Sequence, residues 1–114
     1  MHELSLITSV VDSLYDVFEK QPVRKVKSVT LSVGTVSGVV PHYLTEAWEW
    51  FTKDDDLFRG SELKIEFIHA YTKCLDCGEE YDTIQYAKVC PHCHSDNTVL
   101  KQGNELLIKE VEVE

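Results

Sequence analysis

No stretch of this sequence stays apolar for the roughly 20 residues that a bilayer-spanning helix needs, so a membrane protein of that kind is not expected. A secretory leader is not expected either. The chain opens Met1-His2-Glu3, with no basic start ahead of an apolar run. Positive charge is scarce: 11 Lys and Arg stand against 20 Asp and Glu, a formal net charge of −9. Nucleic-acid binding needs a basic face for the phosphates, so no nucleic acid is expected as a partner. An acidic surface suits cations and basic partner surfaces instead. No Ser/His/Asp or Cys/His arrangement stands out, and an enzyme is not expected. No cysteine lies outside residues 74–93, which leaves no disulfide partner beyond that stretch. These absences point to the cytoplasm, where paired cysteines read as metal ligands.

What the sequence does hold is concentrated between Cys74 and Cys93. Cys74-Leu75-Asp76-Cys77-Gly78 and Cys90-Pro91-His92-Cys93-His94 supply two Cys-x-x-Cys pairs, separated by residues 78–89. Each pair makes a tight turn whose backbone N–H groups can point at sulfur. Two such turns facing each other give four thiolates at tetrahedral angles, the ligand set of a closed structural Zn(II) site. Gly78 supplies the permissive backbone for the first turn, and Pro91 stiffens the second. Four cysteines leave no coordination position for water, which excludes a zinc hydrolase. The same spacing also admits two disulfides or a rubredoxin-like iron site. His92 and His94 read as solvated residues, because four thiolates already fill a tetrahedron.

Around this stretch the periodicity is regular. Residues 3–20 predict an amphipathic helix: Leu4, Ile7, Val11, Leu14 and Phe18 recur at steps of three and four, with Leu6, Val10 and Val17 widening the stripe. Pro22 ends it. Residues 25–34 alternate like a strand with one buried face, Val29, Leu31 and Val33 opposing Ser28, Thr30 and Ser32. Pro41 opens a second helix whose apolar face is Leu44, Ala47, Trp48 and Phe51. Trp48 and Trp50 cannot both face inward. Lys53-Asp54-Asp55-Asp56 reads as a solvated loop, with a weak cation site as the alternative. Leu63, Ile65 and Phe67 predict a second strand. Leu106, Ile108, Val111 and Val113 predict a third, with a change of parity that implies a bulge or burial on both faces. His42 and His69 read as structural or exposed positions, with a distant fourth metal ligand as the alternative reading of either.

The expected fold class is α+β: two helices packed on a small three-stranded sheet, with an inserted four-cysteine zinc-ribbon-like domain. A lone terminal strand has no core of its own, so it must join the sheet begun earlier. Residues 1–70 plus 101–114 are therefore expected to form a discontinuous α/β domain, with residues 71–100 as the zinc-binding domain that relies on its metal.

The start of the chain carries a second set of donors. A residue as large as His2 is expected to leave Met1 in place. The free amine, the His2 amide and the His2 imidazole then close five- and six-membered chelate rings. The Glu3 amide or carboxylate can complete a plane of the kind Ni(II) or Cu(II) accepts. Met1-His2-Glu3-Leu4-Ser5-Leu6, the two cysteine pairs and Gly103-Asn104-Glu105-Leu106, in this order over the whole length, resemble the HypA/HybF family of hydrogenase maturation nickel-insertion proteins. The resemblance implies a nickel metallochaperone with an α/β nickel-binding domain and a zinc domain. It implies transported Ni(II) on Met1, His2 and Glu3, and structural Zn(II) on Cys74, Cys77, Cys90 and Cys93. The partners it implies are a nickel-binding maturation GTPase and the [NiFe] hydrogenase large subunit precursor. Oligomeric state and domain swapping stay open. The competing reading is a zinc-ribbon interaction or nucleic-acid-binding module. That module would want basic residues near the cysteines, yet Lys73 and Lys88 are outnumbered by Asp76, Glu79, Glu80, Asp82 and Asp96.

Overall fold

The computed structural model describes residues 2–114, apart from the side chain of His2. Its elements run α1 (His2–Lys20), β1 (Val26–Gly34), α2 (Pro41–Thr52), β2 (Glu62–Ile68), β3 (Tyr71–Cys74), β4 (Glu80–Asp82), α3 (Thr83–Tyr86), β5 (Thr98–Gln102) and β6 (Leu106–Val113). The strands form two three-stranded sheets, ordered β2-β1-β6 and β4-β3-β5. The class is α+β, with one sheet and one short helix more than the periodicity announced. Among the described residues, no helix is long and apolar enough to cross a membrane.

Contacts divide the chain into two compact units. The first comprises Met1–Leu31, Val39–Glu66 and Leu107–Glu114; the second comprises Ser32–Gly38 and Phe67–Leu106. In the first unit α1 and α2 pack together, as their apolar stripes require. Ile7, Val10, Val11 and Leu14 are buried on α1, and Leu44, Ala47 and Trp48 on α2. Val17, expected on the α1 stripe, is exposed. Pro41 sits at the first position of α2, where its missing N–H costs nothing. The Trp48 indole N–H donates to Ser61, while Trp50 faces water.

Phe58 fills the centre of this packing from outside any regular element. Fully buried, its ring meets Trp48 at 5.7 Å, Tyr15 at 5.5 Å and Phe18 at 6.3 Å. The charge run read as solvated loop is what delivers it. Asp55 Oδ1 accepts 2.9 Å hydrogen bonds from the amides of Leu57 and Phe58, and the Tyr15 hydroxyl donates to the same carboxylate. An Asp that caps its own downstream backbone fixes a turn by itself.

Two strands depart from the alternation. Ser28 and Thr30 on β1 are buried along with Val29 and Leu31, so both faces of β1 are covered. The reason is position: β1 is the central strand, and Ser28 lies beneath Glu112, to which it donates and which also pairs with Lys64. β6 departs in the opposite sense. Only Leu106 and Val111 are half-buried and the other residues are exposed, so burial on both faces does not occur there. An edge strand lacks the second neighbour that would cover it.

In the second unit, β3 pairs antiparallel with both β4 and β5. Residues 32–38 are tied in by backbone bonds: Gly34 N–H to Glu105 O, Val36 N–H to Gly103 O, and Thr35 N–H to Ile68 O, all between 2.8 and 3.0 Å. Gly34 and Gly103 make this approach possible. A Cβ on Gly34 would lie 2.0 Å from the Gly103 carbonyl oxygen, and one on Gly103 would lie 2.3 Å from the Ala70 Cβ. The Glu105 carboxylate then accepts from the Gly103 amide at 2.7 Å.

Candidate metal centre

The end of β3 delivers Cys74, and the turn after it delivers Cys77. Cys90 and Cys93 come from the loop that precedes β5. The two turns are built alike. Gly78 N–H donates to Cys74 O and His94 N–H donates to Cys90 O, both at 2.9 Å. Cys74 N–H donates to Glu79 O and Cys90 N–H to Ser95 O, again both at 2.9 Å. Gly78 (φ 80) and His94 (φ 62) occupy the same left-handed position in the two turns. His94 thus holds a backbone conformation that glycine holds in the first turn, at a cost glycine avoids.

All four sulfurs lie within 4.8 Å of one another. Cys74 Sγ and Cys93 Sγ are 3.5 Å apart, and Cys77 Sγ and Cys90 Sγ 3.6 Å. A metal at about 2.3 Å from each sulfur would space them by about 3.8 Å, whereas a disulfide needs about 2.05 Å. The four are free cysteines set as a ligand cage, and the two-disulfide reading does not fit. Cys74 and Cys90 are fully buried beside Tyr81, and Cys77 and Cys93 open to solvent. Tyr81 is itself fixed, its hydroxyl donating to Ala87 O at 2.9 Å.

Electrostatics favour the Cys74 thiolate and resist those of Cys77 and Cys93. The amide of Cys77, then that of Asp76, aim at the Cys74 sulfur and pull its thiol down to about 7. The Ser95 amide lowers Cys93, but hydrogen bonding with Cys74, burial and the other two sulfurs outweigh it and push that thiol up to about 12. Like charges this close cannot all form in the absence of a compensating cation. A dication supplies that compensation and the proton release that accompanies binding.

A polar clasp ties the two turns together. Asp76, inside the first pair, accepts from the Asn97 side-chain amide at 3.0 Å and from the Ser95 hydroxyl. Ser95 Oγ accepts in turn from Asn97 N–H at 3.0 Å, and Leu75 N–H donates to Asn97 O at 2.9 Å. Sequence reading placed Asp76 only in the acidic surroundings of the cysteines. The available signal was an acidic residue inside one pair and a Ser-x-Asn after the other.

Of the other residues singled out, Met1 and the His2 side chain lie outside the described residues. Glu3 is described: its side chain is buried, and Oε2 accepts from Val40 N–H at 3.4 Å. His92 is in the second turn, with its amide 3.4 Å from Cys90 Sγ. His69 Nε2 lies 3.2 Å from Asp82 Oδ1, with its ring edge-on to Tyr71.

The chain matches the family described as "Hydrogenase/urease nickel incorporation, metallochaperone, hypA" over residues 1–113. It is 33% identical over 114 residues to the hydrogenase maturation factor HypA of Aquifex aeolicus (strain VF5), covering 100% of this chain and 98% of that protein. It is 38% identical over 115 residues to hydrogenase maturation factor HypA of Geobacter metallireducens, covering both completely. In fold it resembles the solution structure of the Ni metallochaperone HypA from Helicobacter pylori, with a TM-score of 0.73 and 24% identity over 97% of this chain and 96% of that one.

Proposed function

Since this chain belongs to the HypA family of nickel-incorporation metallochaperones, we propose that it carries Ni(II) to a hydrogenase under assembly and is a carrier, not an enzyme. The observation that supports this most is the family match over residues 1–113, which takes in both the N-terminal donors and the four cysteines. Met1, His2 and Glu3 hold the nickel, through the terminal amine, backbone amides and the His2 imidazole. Such a planar nitrogen set suits Ni(II), whereas Zn(II) prefers the tetrahedron of Cys74, Cys77, Cys90 and Cys93. Nickel is cargo and zinc is structural. Residues 1–70 plus 101–114 carry the nickel-binding function and residues 71–100 the zinc-binding function, with residues 32–38, 67–70 and 101–106 packing in the cysteine-bearing unit. The carrier works in the cytoplasm with a nickel-binding maturation GTPase and the [NiFe] hydrogenase large subunit precursor.

A carrier must release as well as capture. Nickel displaces protons from an imidazole and an amine with ordinary pKa values of about 6.5 and about 7.7–8.0, so nickel occupancy falls as pH drops from about 8 to about 6. The test measures both metals per chain over that range in protein with its native N-terminus, in a variant with one residue added before Met1, and in His2→Ala. Nickel is expected to leave the native protein while zinc stays, and both variants are expected to lose tight nickel binding and keep zinc. Nickel binding that survives the extension would overturn the N-terminal assignment.

A further inference from the structure

The first two turns of α2 carry a pair of metal donors apart from both the N-terminal tripeptide and the four cysteines. We infer that His42 and Glu46 form a second, exchangeable site for a divalent cation of the Ni(II) or Cu(II) class. Residues four apart on a helix share a face, and here His42 Nε2 stands 2.9 Å from Glu46 Oε1. Both side chains remain open to water, at 75% and 59% exposure, so a hydrated ion reaches them with no rearrangement of the core. A cation about 2.05 Å from each donor sees a 2.9 Å bite as an angle of about 90°. That is the angle between neighbouring positions of a plane or an octahedron; a tetrahedron asks for a bite of about 3.3 Å. Imidazole nitrogen suits Ni(II) and Cu(II), and both exposed side chains can adjust to such an ion.

The place in the fold matters as much as the bite. Glu46 lines an apolar cleft of about 350 Å³ together with Leu4, Ala47 and Trp50. Leu4 directly follows Glu3, whose carboxylate accepts from the Val40 amide where α2 begins. The pair therefore stands at the end of the α1–α2 packing that carries Glu3. The net charge of −9 raises the concentration of cations around the chain as a whole. Trp50, one turn beyond Glu46 and 61% exposed, reports on the site, because a bound paramagnetic ion quenches its emission.

The experiment uses the full chain with its zinc retained and its N-terminal amine acetylated, so the N-terminal chelate is closed in every arm. Ni(II) is titrated while Trp50 emission and the amide and imidazole signals of residues 42–46 are followed. Saturable quenching is expected, with signal loss centred on His42 and Glu46. His42→Ala and Glu46→Gln, both solvent-facing, are expected to weaken it about tenfold or more, and Trp50→Phe to remove the optical signal while the loss at residues 42–46 persists. Titration curves of the two donor variants that superimpose on the parent would overturn the site and leave the pair as a helix contact. So would signal loss centred on His69, His92 or His94. Failure of nickel binding at a free N-terminus would leave this result untouched, because the amine is blocked throughout.

Discussion

At the scale of single residues, Gly34 has no room for a side chain. Its backbone torsions are ordinary, so the constraint is steric: the Gly103 carbonyl oxygen occupies the place of any Cβ, 2.0 Å away. Gly34→Ala is expected to lose about 3 kcal/mol of stability in urea unfolding, because the neighbour that must move is backbone. Tyr15 carries a different signal. Burial first, then its hydrogen bond and proximity to the Asp55 carboxylate, push its hydroxyl up from 10.0 to about 12. Above pH 10 the unfolded chain gives up this proton while the native chain keeps it, so the Tyr15 contribution is complete below pH 10 and fades through pH 12. Denaturation of the native protein and Tyr15→Phe, compared from pH 8 to 12, is expected to show the steeper alkaline loss in the native protein. Parallel curves would mean that the hydroxyl does not sense Asp55. The Pro41 helix start and the inward Trp48 were legible because they are local; the Gly34 contact was not, because its partner is far along the chain.

At the scale of elements, the two cysteine turns and their clasp form one device. Each turn holds its pair through backbone bonds alone, and Asp76, Ser95 and Asn97 set one turn against the other. Partners outside the ligand shell commonly change metal affinity by 10–100-fold. Asp76→Ala is expected to weaken zinc by about tenfold, the low end of that range, because the carboxylate is exposed. Competition against a chromophoric chelator measures this, and an unchanged constant would reduce the clasp to surface decoration. The cysteine spacing told of the cage, since ligand spacing within a turn is a local property. It said nothing of the clasp, whose Asp76 and Asn97 are separated by 21 positions. The same contrast holds on β1, where alternation announced one buried face and the central place in the sheet covered both.

At the scale of the whole molecule, the two units rest on different forces. The first has an apolar core of helix stripes, strand residues and Phe58, and the second has few fully buried side chains beyond Ala70, Cys74, Cys90 and its β1 portion. A unit so short of apolar burial would draw its stability from a metal held by the four cysteines, as the proposed zinc site requires. Stripping the zinc with a strong chelator is therefore expected to abolish hydrogen-exchange protection across residues 71–100, while Trp48, buried in the first unit, keeps its native emission. Cys74→Ser is expected to behave alike. Protection that persists in the stripped protein would place the stability in the hydrogen bonds. By itself the sequence determined the helix faces, their proline boundaries, the acidic balance and the four-cysteine set, because each is written in neighbouring residues or in composition. Tertiary structure alone decided that Phe58 plugs the core, that residues 32–38 run with the cysteine-bearing unit, and that His42 and Glu46 stand at the same end as Glu3. Those facts depend on which distant backbones can approach each other, and pattern along a chain does not encode that distance.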